Sequence, residues 1–305
     1  MMNQPESAST SSTAARLRTS VAARDITIAP GCFDALSAAL IERAGFECAY
    51  LSGASIAYTR FGRPDIGLVA MSEVAETISV IRERTDLPLI VDADTGFGNA
   101  VNTYRTVRLF ERMGASGVQL EDQVMPKRCG HLRGKSLVAA GEMAGKIEAA
   151  CAARLDRDTM IIARTDAIAV EGLDSALERA DRYVEAGADM LFIEALETRE
   201  QMQSAIAGFA GRVPLLVNMV EGGDTPMTNA ADLQALGFSV VIFPGALVRA
   251  LTFQATDFLE SLRRHGDTKS FANRMMDFPD LQTLLGTAEI LEQGKRWESS
   301  SGVAE

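Results

Sequence analysis

Histidine is nearly missing from this chain: His131 and His265 are the only two in 305 residues. Two imidazoles exclude a histidine-rich metal site and leave little room for a Ser-His-Asp triad. The four cysteines, Cys32, Cys48, Cys129 and Cys151, form no CxxC pair. That is the pattern of reduced thiols in a cytoplasmic protein, not of a disulfide framework. No run approaches the roughly 18–20 apolar residues that span a bilayer. Basic charge is short as well, with 30 Lys and Arg against 41 Asp and Glu and a net charge of −11. Such a surface repels nucleic acid and anionic membrane, so the expected partner is a small molecule. An anionic ligand must then meet a local basic exception.

What is present fits one sizeable domain. Hydrophobic residues make up 47% and charged residues 23%, an ordinary globular balance. The length suits a single barrel of alternating strands and helices. Residues 1–22, rich in Ser, Thr and Ala, read as a disordered tail and not as a secretory signal. Arg16, Arg18 and Arg24 give the start a faint transit-peptide character, against which Glu6 argues. Residues 298–305 read as a frayed end, leaving 23–297 as one domain.

Eight short apolar, β-branched runs recur along that domain: Ile26–Ala29, Glu47–Leu51, Leu87–Val91, Gly117–Leu120, Met160–Ala163, Met190–Ile193, Val213–Val217 and Val240–Phe243. Amphipathic stretches such as Thr103–Arg112 and Ser175–Glu185 lie between them, with glycines where helices should stop. Strand and helix alternating eight times predict a parallel α/β sheet closed into a (β/α)8 TIM barrel. An open doubly wound sheet is the alternative. Helical segments after Pro244 extend beyond a minimal barrel.

In such a barrel the chemistry lies where strands end. Asp92 and Asp94 follow one run, Glu121 and Asp122 the next, then Arg164 and Asp166, Glu194, and Asn218. Asp92 and Asp94 lie two apart, so in extended chain they face one way. With Glu121 from the neighbouring strand they would repel one another unless a cation intervenes. An all-oxygen set suits Mg²⁺, with Mn²⁺ possible in its place. Capping of the following helix is the plainer reading of Asp94. Gly96-Phe97-Gly98 lacks the third glycine of a dinucleotide fingerprint, since Val101 fills that place.

The segment Gln123–Ser136 carries Lys127, Arg128, His131, Arg133 and Lys135 with no acid among them. It reads as a basic island centred on Cys129, whose thiol such surroundings would activate. Gly130 and Gly134 suit it to close over an anion. Cys32, Cys48 and Cys151 lack such neighbours and read as small apolar residues. Arg164 offers a fork for a substrate carboxylate, unless Asp166 or Glu194 engages it first.

The runs Val91–Asn99 (VDADTGFGN), Leu120–Gln123 (LEDQ), Lys127–His131 (KRCGH) and Ala163–Ala167 (ARTDA) together resemble the isocitrate lyase/phosphoenolpyruvate mutase superfamily. The resemblance runs from about residue 25 to about 290. It implies a (β/α)8 barrel that binds Mg²⁺, forms homotetramers and exchanges a C-terminal helix between paired subunits. It implies that Asp92 and Asp94 hold the metal directly or through water, with Glu121 and Asp65 in support. Tyr50, Ser52, Gly53, Ala54, Lys127, Gly130, His131, Arg164, Glu194 and Asn218 would line the substrate site. Cys129 would be the acid of the carbon–carbon lyase branch.

The implied reaction is retro-aldol cleavage of a 2-hydroxy dicarboxylate to a 2-oxo acid and a carboxylic acid. Tyr50, or a water held at the metal, takes the hydroxyl proton. Arg164 and the basic segment stabilise the developing charge, and Cys129 protonates the departing enolate. Phe278 falls where methylisocitrate lyases carry an arginine for a third carboxylate. A phenylalanine prefers an alkyl group, which points to an alkyl-malate. Methylisocitrate lyase is therefore an alternative, as are two further branches. Oxaloacetate hydrolases or decarboxylases tend to have a serine where Ala167 stands, and phosphonomutases generally lack KRCGH.

Overall fold

The computed structural model describes residues 11–130 and 134–300. His131 and Arg133 lie outside the described residues, as does the start of the tail, 1–10. The chain divides into two compact units, Met1–Val248 and Arg249–Glu305. The sequence reading took 23–297 as one domain.

In the first unit the order is α1 (Thr13–Ala22), β1 (Thr27–Cys32), α2 (Ala35–Arg43), β2 (Ala49–Leu51), α3 (Gly53–Ile56), a π turn (Ala57–Phe61), α4 (Met71–Arg84) and β3 (Leu89–Asp92). There follow α5 (Ala100–Met113), β4 (Gly117–Glu121), α6 (Ala140–Ala153), β5 (Met160–Thr165), α7 (Ile168–Glu171), α8 (Leu173–Glu185) and β6 (Met190–Ile193). The last are α9 (Arg199–Phe209), β7 (Leu215–Asn218), α10 (Ala230–Leu236) and β8 (Val240–Phe243). The eight strands pair in parallel in sequence order, and β8 returns to β1 to close the barrel. All eight expected strands are present, which excludes the open sheet.

Local chemistry sets the helix ends. Asp34 accepts the Ser37 N–H at 2.7 Å, and the Ser37 hydroxyl accepts the Asp34 N–H, a reciprocal cap on α2. Asn99 caps α5 in the same way. Gly114 ends that helix at φ +109°, a conformation that a β-carbon would strain.

The strand alternation builds two cores. Outward residues such as Val91, Val118, Ile161, Ala163, Leu191 and Val241 pack against the helices. Inward residues, among them Ala29, Cys48, Ile90, Ile162, Met190, Leu216 and Val240, fill the barrel. Leu17 and Val21 of α1 join that inner cluster.

The expectation of a disordered 1–22 is thereby corrected for its described part. Ser12 caps α1 by accepting the Ala15 N–H at 3.1 Å. Arg18 donates to the Asp158 carbonyl at 2.8 Å and pairs with Asp189 at 2.8 Å. Arg16 donates to the Asp86 carbonyl. The arginines that suggested a targeting segment tie the helix to loops at the N-terminal ends of the strands. Its apolar face is too short, at Ala14, Leu17 and Val21, to stand out in a Ser/Thr-rich run.

The second unit holds most of α11 (Ala246–His265), a 3-10 turn (Lys269–Arg274), α12 (Phe278–Leu285) and α13 (Thr287–Ser300). The frayed end expected from 298 is helical to Ser300, and 301–305 lie outside the described residues. Phe271 and Leu284 are the unit's only buried hydrophobic side chains among the described residues. Leu251, Phe253, Leu259, Ile290, Leu291 and Trp297 are exposed. So is Phe278, at 75%. No helix among the described residues is long and apolar enough to cross a membrane.

Candidate active site

Where the inward positions reach the C-terminal rim, the apolar filling gives way to polar side chains. β2 ends in Tyr50, Leu51 and then Ser52; β3 in Asp92; β4 in Gln119 and Glu121; β5 in Arg164; β6 is followed by Glu194; and β7 ends in Asn218. All of these polar groups are buried. The register sets Asp92 beside Gln119 and Glu121 beside Arg164.

The carboxylates lie in one connected network. Asp92 Oδ1 accepts the Asp94 N–H at 3.1 Å and the Gln119 amide at 3.3 Å. Asp94 adopts a left-handed backbone at φ +46°, and its carbonyl accepts the Glu121 N–H at 2.9 Å. Lys127 reaches in between Asp65, at 2.6 Å, and Asp94, at 2.8 Å. Arg164 Nε lies 3.3 Å from Glu121 Oε2, and its fork grips Asp166 at 2.9 and 3.0 Å. The Phe192 ring lies under the guanidinium, 5.0 Å from its centroid. Asn218 Nδ2 donates to both Glu194 oxygens at 3.3 Å.

The segment after β4 is drawn onto this rim. Gln123 holds Arg128 by its N–H at 3.0 Å and its carbonyl at 2.8 Å. Lys135 donates to the Gly130 carbonyl and pairs with Asp166 at 3.1 Å. Gly130 has no room for a side chain, since a Cβ there would collide with Arg164 Nη2 and lie 2.9 Å from Glu194 Oε1. Cys129, half-buried, donates its N–H to the Asp65 carbonyl at 3.2 Å. It therefore sits between two residues that both touch the rim.

The basic island of the sequence is thus partly spent on the protein's own carboxylates. Lys127 and Lys135 turn inward onto buried carboxylates, an orientation that a count of charges along the chain does not reveal. Arg164 is likewise engaged by Asp166, so it enters the site already anchored. Ser52 caps α3, accepting the Ser55 N–H at 3.2 Å, and Ala54 is half-buried. Ala167 packs in the core outside the strands, so its missing hydroxyl bears less directly on the reaction than its place after Asp166 suggests.

Burial dominates the electrostatics. It pushes the Asp94 carboxyl up to about 6 against the pull of Lys127, and it holds Glu121 well above its ordinary value against Arg164. Burial works to lower Lys127, but Asp94, Glu121, Asp65 and Asp92 outweigh it and hold the ammonium well above its ordinary range. Burial would raise Asp166, yet Arg164 and Lys135 bring it below the usual carboxylate value. Cys32 and Cys48 are fully buried and their thiols are pushed up, Cys48 to about 12, consistent with apolar roles.

Tyr50 is buried beside Gln119. Its hydroxyl donates to Gln119 Oε1 at 2.8 Å, and burial, with the Asp92 charge behind it, holds the phenol well above its ordinary value. The family resemblance assigned Tyr50 to the substrate site but gave no hint of its partner.

Gln119 and Lys146 went unread in the sequence, and Asp122 was read only as a strand-end charge. Gln119 shares the Gly117–Gln119–Glu121 face of β4, so strict alternation would have flagged it as a polar group inside the barrel. Asp122 accepts from Thr165 at 2.7 Å, from Tyr183 at 2.8 Å and from the Asp166 N–H at 2.9 Å, fixing the turn that carries Asp166. Lys146 donates to the Thr95 carbonyl at 3.1 Å from within α6, and nothing in its local sequence predicts that reach.

Does this rim fit a divalent cation? Among the described residues no three His, Cys, Asp or Glu side chains converge into a metal cage. Magnesium does not require one; one or two carboxylates, with water completing the shell, are its usual holding. Glu121 Oε1 is buried without an aligned hydrogen bond, and Asp94 Oδ1 meets the Lys127 ammonium at 2.8 Å. A Cβ on Gly53 would stand 3.4 Å from Asp92 Oδ2 and 3.6 Å from Asp94 Oδ1, so both oxygens face the space that glycine leaves. The donors are all hard oxygens, and the carboxylates Asp65, Asp92, Asp94, Glu121, Asp166 and Glu194 outnumber Lys127, Lys135 and Arg164. The residues present fit the cation.

The sequence pattern of the family described as phosphoenolpyruvate phosphomutase matches residues 17–263. The chain is 43% identical over 280 residues to 2,3-dimethylmalate lyase of Eubacterium barkeri, covering 92% of this chain and 96% of that one. It is 46% identical over 272 residues to 2-methylisocitrate lyase of Aeropyrum pernix, covering 88% and 86%. Among solved structures it is similar to phosphonopyruvate hydrolase in complex with oxalate and Mg²⁺, with a TM-score of 0.85, 31% identity, and coverage of 94% and 99%.

Proposed function

The chain belongs to the phosphoenolpyruvate mutase/isocitrate lyase superfamily and is an enzyme of its carbon–carbon lyase kind, and from that premise we propose that it cleaves a 2-hydroxy dicarboxylate of the alkyl-malate class. The products are a 2-oxo acid and a carboxylic acid. The observation that carries this reading is the buried rim where carboxylates, an anchored Arg164 and the Cys129 segment meet. The dimethylmalate relative supports the alkyl-malate choice.

Asp92 and Asp94 would hold a divalent cation beside Gly53, with Glu121 and Asp65 in support. Bound there, Mg²⁺ or Mn²⁺ would polarise the hydroxyl and carboxylate oxygens of a 2-hydroxy acid. Arg164, already fixed by Asp166 and Phe192, offers its remaining N–H groups to a substrate carboxylate without an ordering cost. Ser52, Gly53, Ala54, Gly130, Glu194 and Asn218 shape the space around it. The hydroxyl proton leaves toward the rim, where Glu121 Oε1 is a buried oxygen lacking a donor. As the carbon–carbon bond breaks, its electron pair passes to the α carbon of the departing acid. Cys129 Sγ–H then protonates that carbon. Lys127 keeps the carboxylates from repelling one another while the site is charged.

The test is a panel of malate, 2,3-dialkylmalates, 2-methylisocitrate and oxaloacetate, each with Mg²⁺ or with chelator, read as 2-oxo acid released. Dialkylmalates turning over fastest, and only with the metal, is the expected result. Turnover of oxaloacetate alone sinks the lyase reading, and 2-methylisocitrate as the preferred substrate sinks the alkyl-malate choice. The exposed apolar side chains of the second unit, among them Phe253 and Ile290, support a homotetramer. Light scattering should give four chains per particle.

A further inference from the structure

Gln119 and Tyr50 form a buried polar pair that the reaction above does not use. Gln119 is wholly inaccessible on the inner face of β4, and its strand neighbours in register are Asp92 and Ile162. It marks the level at which apolar filling ends and the charged rim begins. A buried amide and a buried phenol cost stability unless each is satisfied. Here they satisfy each other, with Tyr50 Oη donating to Gln119 Oε1 at 2.8 Å.

The chemistry of the two groups fixes their direction. An amide oxygen can only accept, so Tyr50 is the donor. Gln119 Nε2 must then face Asp92 Oδ1, at 3.3 Å. The flipped amide would set its oxygen against the carboxylate oxygen, acceptor against acceptor. The acceptor-only Asp92 carboxylate therefore sets the direction of the amide, and Tyr50, donating to the oxygen on its other side, holds Gln119 there.

The consequence falls on the other Asp92 oxygen. Oδ1 receives two N–H groups, from Gln119 and from Asp94. Oδ2 faces the space beside Gly53, together with Asp94 Oδ1. We propose that Gln119, locked by Tyr50, is a positioning residue that pins Asp92 Oδ1 and thereby presents Asp92 Oδ2 with Asp94 Oδ1 to the divalent cation. This rests on the metal reading of the proposed function. It gives Tyr50 a donor's role in place of the base that the family resemblance implied.

The test measures Mn²⁺ affinity of the folded full-length chain by electron paramagnetic resonance, below each variant's melting temperature. Gln119→Met keeps the volume and removes both hydrogen bonds. It should weaken Mn²⁺ binding about 10- to 100-fold, the range for lost outer-shell partners. Tyr50→Phe frees the amide to turn and should weaken binding about fivefold, the worth of one neutral hydrogen bond. The double variant should bind no worse than Gln119→Met alone, because Tyr50 acts through Gln119. A folded Gln119→Met that binds Mn²⁺ within about twofold of wild type overturns the proposal. So does a double variant whose loss is the product of the two single losses. If Gln119→Met fails to fold, Tyr50→Phe decides alone, and unchanged affinity there is fatal. Wild-type protein that binds no Mn²⁺ defeats the metal reading and this proposal together, whereas wild-type binding with unaltered variants defeats only the positioning role.

Discussion

At the N-terminal rim of the barrel an apolar helix fills the hole, and at the C-terminal rim charged side chains fill it. The first end is built from Leu17 and Val21 packed under Cys48, Ile90 and Met160, with arginines used only at the margin, where Arg18 meets Asp158 and Asp189. Clefts of about 470 and 530 Å³ open on either side of α1. In one of them Arg18 pairs with Asp189, and in the other Arg16 donates to the Asp86 carbonyl. The second end buries Asp92, Asp94, Glu121, Lys127, Arg164 and Asp166 within one network. Burying an unpaired charge costs several kcal/mol, so that end is held for what it does and not for stability. Strand alternation carries both, because the same inward positions hold methyl groups low in the barrel and carboxylates at its top.

The contrast makes its largest prediction at Cys129. If Cys129 is the proton donor proposed above, Cys129→Ser should lower turnover of whichever 2-hydroxy dicarboxylate the wild type cleaves by about 10²–10⁴-fold, the usual loss on removing a proton donor. Its melting temperature should stay within about 2 °C of wild type, since a rim residue of this kind adds little to the core. Steady-state kinetics with calorimetry on the same sample checks both. A cysteine whose replacement leaves kcat intact places the proton donor elsewhere.

Asp166 is the rim residue expected to break the pattern. It neutralises both Arg164 and Lys135. Asp166→Asn leaves two buried cations short of a partner and should cost about 3–5 kcal/mol in urea unfolding, with activity lost as well. A loss of activity at unchanged stability would show that the network has slack that its distances conceal.

How these two ends appear in the sequence differs for a physical reason. The eight strands are legible because burial on both faces demands continuous β-branched runs, and Met190–Ile193 and Val240–Phe243 are read to the residue. The polar strand ends are legible too, since Asp92, Glu121, Arg164, Glu194 and Asn218 each follow such a run. Direction is not legible: Lys127 and Lys135 look like surface charge until the chain turns them onto Asp65, Asp94 and Asp166. Nor is a partner that lies far away in sequence, as with Tyr50 and Gln119, 69 positions apart. Helix α1 escapes because three apolar positions among serines and threonines are too weak a periodic signal. Only tertiary burial makes it a plug. The C-terminal helices are legible as helices beyond a minimal barrel, since no apolar strand run follows Phe243.

At the plug, Leu17→Ala should cost about 3 kcal/mol, the usual range for deleting a fully buried leucine. The kcat of the folded protein should not change. Urea melts and kinetics on one preparation test the separation of the two ends. A fall in kcat would mean that packing below the barrel layers reaches the rim carboxylates.

The smallest effect, and the one that sets the two kinds of rim carboxylate against each other, is on pH. Asp166 is held below its ordinary value, so its contribution is fully present above the unfolded carboxyl pKa and is lost as pH falls toward the folded one. Asp94 is raised from 3.8 to about 6, and Glu121 is raised as well. Between those values the folded chain binds more protons than the unfolded one, so their contribution declines as pH rises from about 4 to about 6. Metal-free protein should therefore lose stability over that interval, and Asp94→Asn should flatten the loss. Added Mn²⁺ should raise the melting temperature more at pH 7 than at pH 5, because protons compete for the same oxygens. Leu17→Ala should leave that pH dependence untouched, since nothing at the plug end titrates with the cation. A metal-induced rise that is equal at both pH values would place the cation away from Asp94 and Glu121.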